Sequence, residues 1–164
     1  MKRQTILGSL AAIGLIVALA SGVYWQRILT VNLPPRVDSA TRVESSTLAQ
    51  KELEAAGGKL VAVLGTGSMA PYIPPAPFGL DPRKAVVAYV VTRPGAVFSD
   101  IRPGFLVIYE YAPEPGSHYL HVAAQKTVTG WIMSGLHNAR SESWTRVTEQ
   151  NFQAIAAKVF VWKS

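Results

Sequence analysis

Apolar positions form one long run before residue 26 and a series of short runs after residue 58, and the two kinds of run predict different environments. Lys59–Leu64 (KLVAVL), Ala85–Val91 (AVVAYVV), Phe105–Tyr111, Tyr119–Val128 and Trp131–Ser134 are short, rich in β-branched and aromatic residues and separated by Pro/Gly-rich turns, which is the pattern of strands. Lys158–Trp162 alternates like a closing strand, and Thr148–Ile155 is expected to add one or two helical turns before it. The fold class read from this pattern is mainly β, with an antiparallel domain over 59–164. Upstream, Thr47 and Gln50 form a capping-box pattern, Leu48 and Leu53 supply a narrow apolar face, and Gly57-Gly58 is a stop, so a short helix is expected there. Asn32-Leu33-Pro34-Pro35 is expected to be extended, because each proline restricts itself and its predecessor; residues 28–58 then read as a linker carrying the short helix.

The long run, Thr5–Trp25, has no charged residue. As a helix it extends about 31 Å at 1.5 Å per residue, enough to cross the hydrocarbon core of a bilayer. Lys2 and Arg3 precede it and Tyr24-Trp25 close it, which suits a cytoplasmic N-terminus, a single-pass anchor over 1–27 and a domain on the extracytoplasmic, periplasmic side of the cell membrane. Ala18-Leu19-Ala20 also fits a small-residue cleavage site, so a cleavable secretory signal is the competing reading. A buried soluble helix is disfavoured, because the segment is apolar around its whole circumference.

Charge and composition narrow the function. The formal charge of +6 is spread without a long Lys/Arg run, which favours anionic lipid over a nucleic-acid groove, and no nucleic-acid partner is expected. With no cysteine, disulfides and thiol catalysis are excluded. His118, His121 and His137 have no supporting ligand pattern, so neither a metal nor another cofactor is expected.

The chemistry concentrates in Thr66-Gly67-Ser68-Met69-Ala70-Pro71, where a small nucleophile sits in a glycine-flanked turn just after an apolar strand. An isolated hydroxyl is a poor nucleophile, so a serine site also needs a base within hydrogen-bond reach and donors aimed at the developing oxyanion. The prolines of PYIPPAPFGL predict a rigid apolar loop beside Ser68, in which Met69, Tyr72, Ile73 and Phe78 either line a groove, touch lipid or belong to the core.

Four segments in one order resemble the signal peptidase I family in the broad sense that includes the LexA-like self-cleaving proteins. GTGSMAPYI (Gly65–Ile73) is similar to the nucleophile box, FSDIRPGFLVIYEY (Phe98–Tyr111) to the next box, YLHVAAQ (Tyr119–Gln125) falls at the general base, and GWIMSGLHNARSESW (Gly130–Trp144) matches the final box. The chain departs from the family pattern at Phe105 and Leu136, where acids are usual, and at Val122, where an arginine is usual. The resemblance implies a signal-peptidase-like β domain, Ser68 as the attacking serine, the Ser68 N–H and the Thr66 hydroxyl as oxyanion donors, and an exported preprotein as substrate.

Family members use either lysine or histidine as base, and the position aligned here is His121. Lys126 is the rival, but on a regular strand five residues of separation put it on the opposite face. An imidazole titrates near 6.5 in water, whereas a lysine near 10.4 needs lowering by roughly two to three units to act as a base at neutral pH. A histidine base needs a tautomer-fixing partner, and Glu142 in the final box is the candidate acid. His118 reads as a hairpin-end residue and His137 as part of the final turn. The expected activity is that of a membrane-anchored serine endopeptidase with a Ser68/His121 dyad, acting on signal peptides or preproteins. The alternatives are a processing peptidase dedicated to a conjugation or secretion system and a catalytically silent peptide-binding membrane module.

Overall fold

The computed structural model describes residues 32–111, 116–137 and 142–162, with the side chains of 142–145 left out. The apolar run Thr5–Trp25 therefore lies outside the described residues, and among those described no helix is long and apolar enough to cross a membrane. The described residues form eight strands, one α-helix and a 3-10 turn at Phe98–Asp100: β1 (Arg36–Ser39), α1 (Arg42–Ala56), β2 (Leu60–Leu64), β3 (Val86–Thr92), β4 (Leu106–Glu110), β5 (His118–Thr127), β6 (Gly130–Ser134), β7 (Glu142–Val147) and β8 (Phe152–Trp162). The architecture is mainly antiparallel β. The strands are ordered β2-β3-β8-β4-β5-β6-β7, and β1 also pairs with β8, in parallel.

The eleven-residue β8 holds the sheet together. Its first residues pair with β4 (Ile155 opposite Val107), and its remainder pairs with β3 on one edge (Val159 opposite Val90) and with β1 on the other (Val159 opposite Arg36). Ala154, Ala156, Val159 and Val161 join a core with Met69, Ile73, Leu106, Ile108 and Val122, whereas Ile155 packs with Val107, Tyr109, Ala123, Trp131, Met133 and Val147 in a second core. Phe160 meets Ala49, Val91, Leu48 and Leu53 beneath α1. The strand's alternation thus feeds both faces of the sheet, the arrangement expected of a strand buried on two sides.

Three expectations are corrected. Residues 32–58 are built into the domain rather than strung before it: β1 adds a strand to β8, Pro35 O accepts from Val159 N at 3.0 Å, and α1 buries Ala49 against β3 and β8. The helix starts six residues, about 1.7 turns, earlier than the Thr47/Gln50 pattern predicts. Thr41 is the N-cap, its hydroxyl accepting from Glu44 N at 3.2 Å while Glu44 Oε2 accepts from Ala40 N at 2.9 Å; Thr47 instead lies inside the helix and donates to Val43 O. Glu44 thus reaches back past the cap to the Ala40 N–H, and the predicted stop at Gly57 is observed. Finally, Thr148–Ile155 forms no helix, because Asn151 Oδ1 accepts from Thr148 N at 2.7 Å in a tight turn and the chain leaves it directly as β8. The strand β7 carries no clear alternation and was not expected from the pattern.

Replacing the cap separates the two start sites. Thr41→Ala should lower the unfolding free energy by about 0.5–2 kcal/mol, as loss of an N-cap does, whereas Thr47→Ala should leave it nearly unchanged; urea denaturation followed by circular dichroism measures both. Ile155→Ala should cost about 2–5 kcal/mol through the cavity left between β4 and β8.

Candidate active site

Strand β2 delivers the chain to Gly65, whose position admits no side chain. Gly65 N donates to Ala85 O and Gly65 O accepts from Ala76 N, both at 2.9 Å, so the glycine ties the two ends of the 65–85 loop together. A Cβ there would lie 2.4 Å from Ala76 N and 2.7 Å from Val87 Cγ1. Gly67 follows with φ +85°, in the left-handed region that favours glycine, and turns the backbone so that Ser68 is presented half-buried. The next residues anchor the turn: Met69 and Ile73 are buried in the core, and Ile73 N donates to Met69 O at 3.0 Å. From β1, Arg36 Nη1 donates to Pro71 O at 2.9 Å and to Tyr72 O at 2.7 Å, while the Tyr72 hydroxyl donates to Pro34 O. Burial pushes the Tyr72 phenol up from 10.0 to about 12, with the Arg36 charge pulling the other way.

His121 comes from the middle of β5. The β5–β6 register ends at Val122 opposite Ser134, after which Gly135–His137 turns away. The turn's His137 N–H donates to Ser68 O at 3.0 Å, so the nucleophile loop docks where β6 leaves β5. His121 Nε2 lies 3.1 Å from Ser68 Oγ, and the imidazole is only 4% exposed. On the other side, His121 Nδ1 lies 3.0 Å from the Tyr109 hydroxyl. Tyr109 is opposite Tyr119 in the β4–β5 ladder and so stands diagonal to His121, within the reach of long side chains on one sheet face. With the proton on Nδ1, that nitrogen donates to Tyr109 Oη and Nε2 accepts from the Ser68 hydroxyl, which is the tautomer that removes the serine proton.

Thr66 Oγ1 lies 3.4 Å from Ser68 Oγ. Its side chain is on the same turn as the serine and on the exposed side of it. The Ser68 backbone N–H takes no acceptor among the described residues, as an oxyanion donor requires.

Ser68, His121 and Thr66 are therefore brought together. Glu142 opens β7 with its backbone in register with Met133, and its side chain lies outside the described residues. Tyr109 is the member that sequence reading missed; the signal for it lies only in the β4–β5 register. Lys126 is exposed and opposite Trp131, about 16 Å along the strand from His121 at roughly 3.3 Å per residue. A register shift between Ala123 and Gln125 interrupts β5, so distance along the strand, rather than facing, separates Lys126 from Ser68. His118 is exposed at the start of β5, and His137 contributes its backbone. Of the loop's apolar residues, Met69 and Ile73 are core, Tyr72 is half-buried and Phe78 is fully exposed.

The three positions that depart from the signal-peptidase-like pattern have packing roles. Val122 is wholly buried in one core, Leu136 packs against the same core, and Phe105 packs against the other while the Arg93 guanidinium lies 4.3 Å from its ring centroid. Among the described residues no cluster of three or more His, Asp or Glu is placed to hold a metal. No protein-family model, curated protein or solved structure matches this chain.

Gly65→Ala should destabilise by about 1–3 kcal/mol or more through backbone overlap, whereas Gly67→Ala, which meets only Pro75 Cβ at 3.6 Å, should cost about 1–2 kcal/mol of backbone strain. Thermal unfolding of the two variants measures the difference. Because the Tyr72 phenol is harder to ionise folded than unfolded, it favours the fold fully below pH 10.0, and that contribution is lost as pH rises towards about 12. Tyr72→Phe should flatten this part of the alkaline unfolding curve.

Proposed function

We propose that this chain is a membrane-anchored serine endopeptidase of the signal peptidase type, which cleaves exported preproteins on the extracytoplasmic side of the membrane. The observation that carries the reading is the 3.1 Å contact between Ser68 Oγ and a buried His121 Nε2. His121 removes the Ser68 proton as the oxygen attacks a peptide carbonyl, forming a tetrahedral intermediate whose oxyanion is met by the Ser68 N–H and the Thr66 hydroxyl. The imidazolium then gives its proton to the leaving amine, the acyl-enzyme forms, and water activated by the same imidazole releases Ser68.

Tyr109 holds His121 in the productive tautomer. A neutral phenol stabilises the imidazolium less than a carboxylate does, so its removal is expected to be milder than loss of the base. The substrate's path is supported by β2, which ends at the nucleophile turn and, among the described residues, pairs with β3 alone, so that its outer edge could accept an extended peptide. The anchor expected over 1–27 would hold this edge at the membrane surface, where the ends of signal peptides emerge.

The test is labelling of the detergent-solubilised full chain by a fluorophosphonate, in parallel with cleavage of a preprotein panel. Ser68→Ala should abolish both, His121→Ala should slow both by roughly 10²–10⁴-fold, Tyr109→Phe by about tenfold, and Lys126→Ala should change neither. Labelling or cleavage that persists in Ser68→Ala, or that requires Lys126, would overturn the assignment.

A further inference from the structure

A cavity of about 380 Å³ lies between the end of β3 and the start of β4, lined by Arg93, Pro94, Ala96, Asp100, Arg102 and Phe105 and by none of the residues around Ser68. Its two arginines arrive from different segments and are held in place. Arg93 lies over the Phe105 ring, and Arg102 Nη1 donates to Ser99 O at 2.7 Å and to Ile101 O at 2.9 Å. Among the described residues neither guanidinium has a carboxylate partner. The one acid in the lining, Asp100, accepts from Val97 N at 3.0 Å, so the cavity carries one net positive charge with its acid turned to the backbone. Phe105 offers an apolar platform beside the Arg93 charge.

We infer that this cavity binds a phosphoester, and that its source is the headgroup of an anionic phospholipid. Two guanidiniums lining one cavity suit the several oxygens of a phosphate, which accept bidentate and bridging contacts. The Phe105 ring and Ala96 supply the apolar wall that a glycerol backbone would touch.

Position favours the lipid source. Asn32 Nδ2 donates to Pro103 O at 2.7 Å, which fixes the first described residue beside Arg102. Only six residues lie between Trp25, the end of the apolar run expected to span the bilayer, and Asn32, and the seven Cα–Cα steps reach at most about 25 Å. The cavity therefore lies within a short tether of the headgroups. Arginines held at the interface would fix the height and tilt of the domain above the membrane, in addition to the non-directional attraction that a +6 chain has for anionic lipid.

The site is independent of the serine chemistry and can be tested without it. The detergent-solubilised full chain, carrying Ser68→Ala as background, is titrated with dihexanoyl-phosphatidylglycerol, with dihexanoyl-phosphatidylcholine and with inorganic phosphate, and binding is read by phosphorus NMR line broadening. Saturable broadening with phosphatidylglycerol is expected, at least about tenfold tighter than with phosphatidylcholine or inorganic phosphate. Arg93→Gln and Arg102→Gln should each weaken it roughly tenfold, the loss expected for one charge-assisted contact. Both arginines are exposed, so circular dichroism should show both variants folded. Inorganic phosphate binding as tightly as phosphatidylglycerol would overturn the lipid source. Equal binding of the two lipids, or binding unchanged by either arginine substitution, would overturn the site.

Discussion

The pairing of β8 on both of its edges is the constraint on which the rest of the molecule depends. One edge carries β3 and, through it, β2 and the nucleophile loop; the other carries β4 and, through it, β5 and His121. Ser68 and His121 are 53 residues apart in the chain and meet because one continuous strand fixes the two halves of the sheet relative to each other. In the proposed roles of base and nucleophile the two side chains must be held to within about half an ångström, and a core strand buried on both faces is a stiffer reference than any loop.

The loop is then held from three sides by different means. Gly65 closes its base through a backbone approach that excludes a Cβ, Met69 and Ile73 sink into the core, and Arg36 reaches from β1 to two consecutive carbonyls. The fourth constraint, His137 N–H on Ser68 O, comes from the turn where β6 leaves β5, which is also where His121 becomes reachable. Loop residues that carry chemistry are commonly held by a rigid scaffold in this way, since their own backbone has no ladder to stiffen it. The parallel strand β1 has a further consequence, because the chain arriving from the apolar N-terminal run is clamped to the nucleophile loop before it enters the first helix.

The site itself differs in character from the cavity near Arg93. His121 is buried among Tyr109, Tyr119 and Val107, an environment of aromatic edges in which the ring's orientation is fixed by packing as well as by hydrogen bonds. The Arg93–Arg102 cavity is open and charged, and its arginines are held by a ring and by backbone carbonyls. One arrangement suits a reacting atom that must be shielded from water; the other suits a hydrated anion arriving from solution or from a surface.

The sequence by itself determined the strands β2 to β6, because short apolar runs rich in β-branched and aromatic residues and flanking Pro/Gly turns depend only on local burial and backbone sterics; Ser68 stood out by its glycine-flanked turn, and Thr66 and His121 by the resemblance of ordered segments to the signal peptidase I family. It did not determine that Thr41 rather than Thr47 caps the helix, since both are good N-cap residues and only the docking of α1 on Val91 and Phe160 decides which turn is kept. Nor did it determine that Asn151 makes a turn where helical spacing was read, or that residues 36–39 add a strand to β8, because both depend on a partner more than a hundred residues away or on a side chain's competition with the backbone. Tyr109 was illegible for the same reason: nothing at its own position marks it, and only the register of β4 against β5 sets its hydroxyl 3.0 Å from His121 Nδ1. Local sterics and alternation are written residue by residue; register, diagonal neighbours and the meeting of distant segments are properties of the packed sheet, and they were decided there.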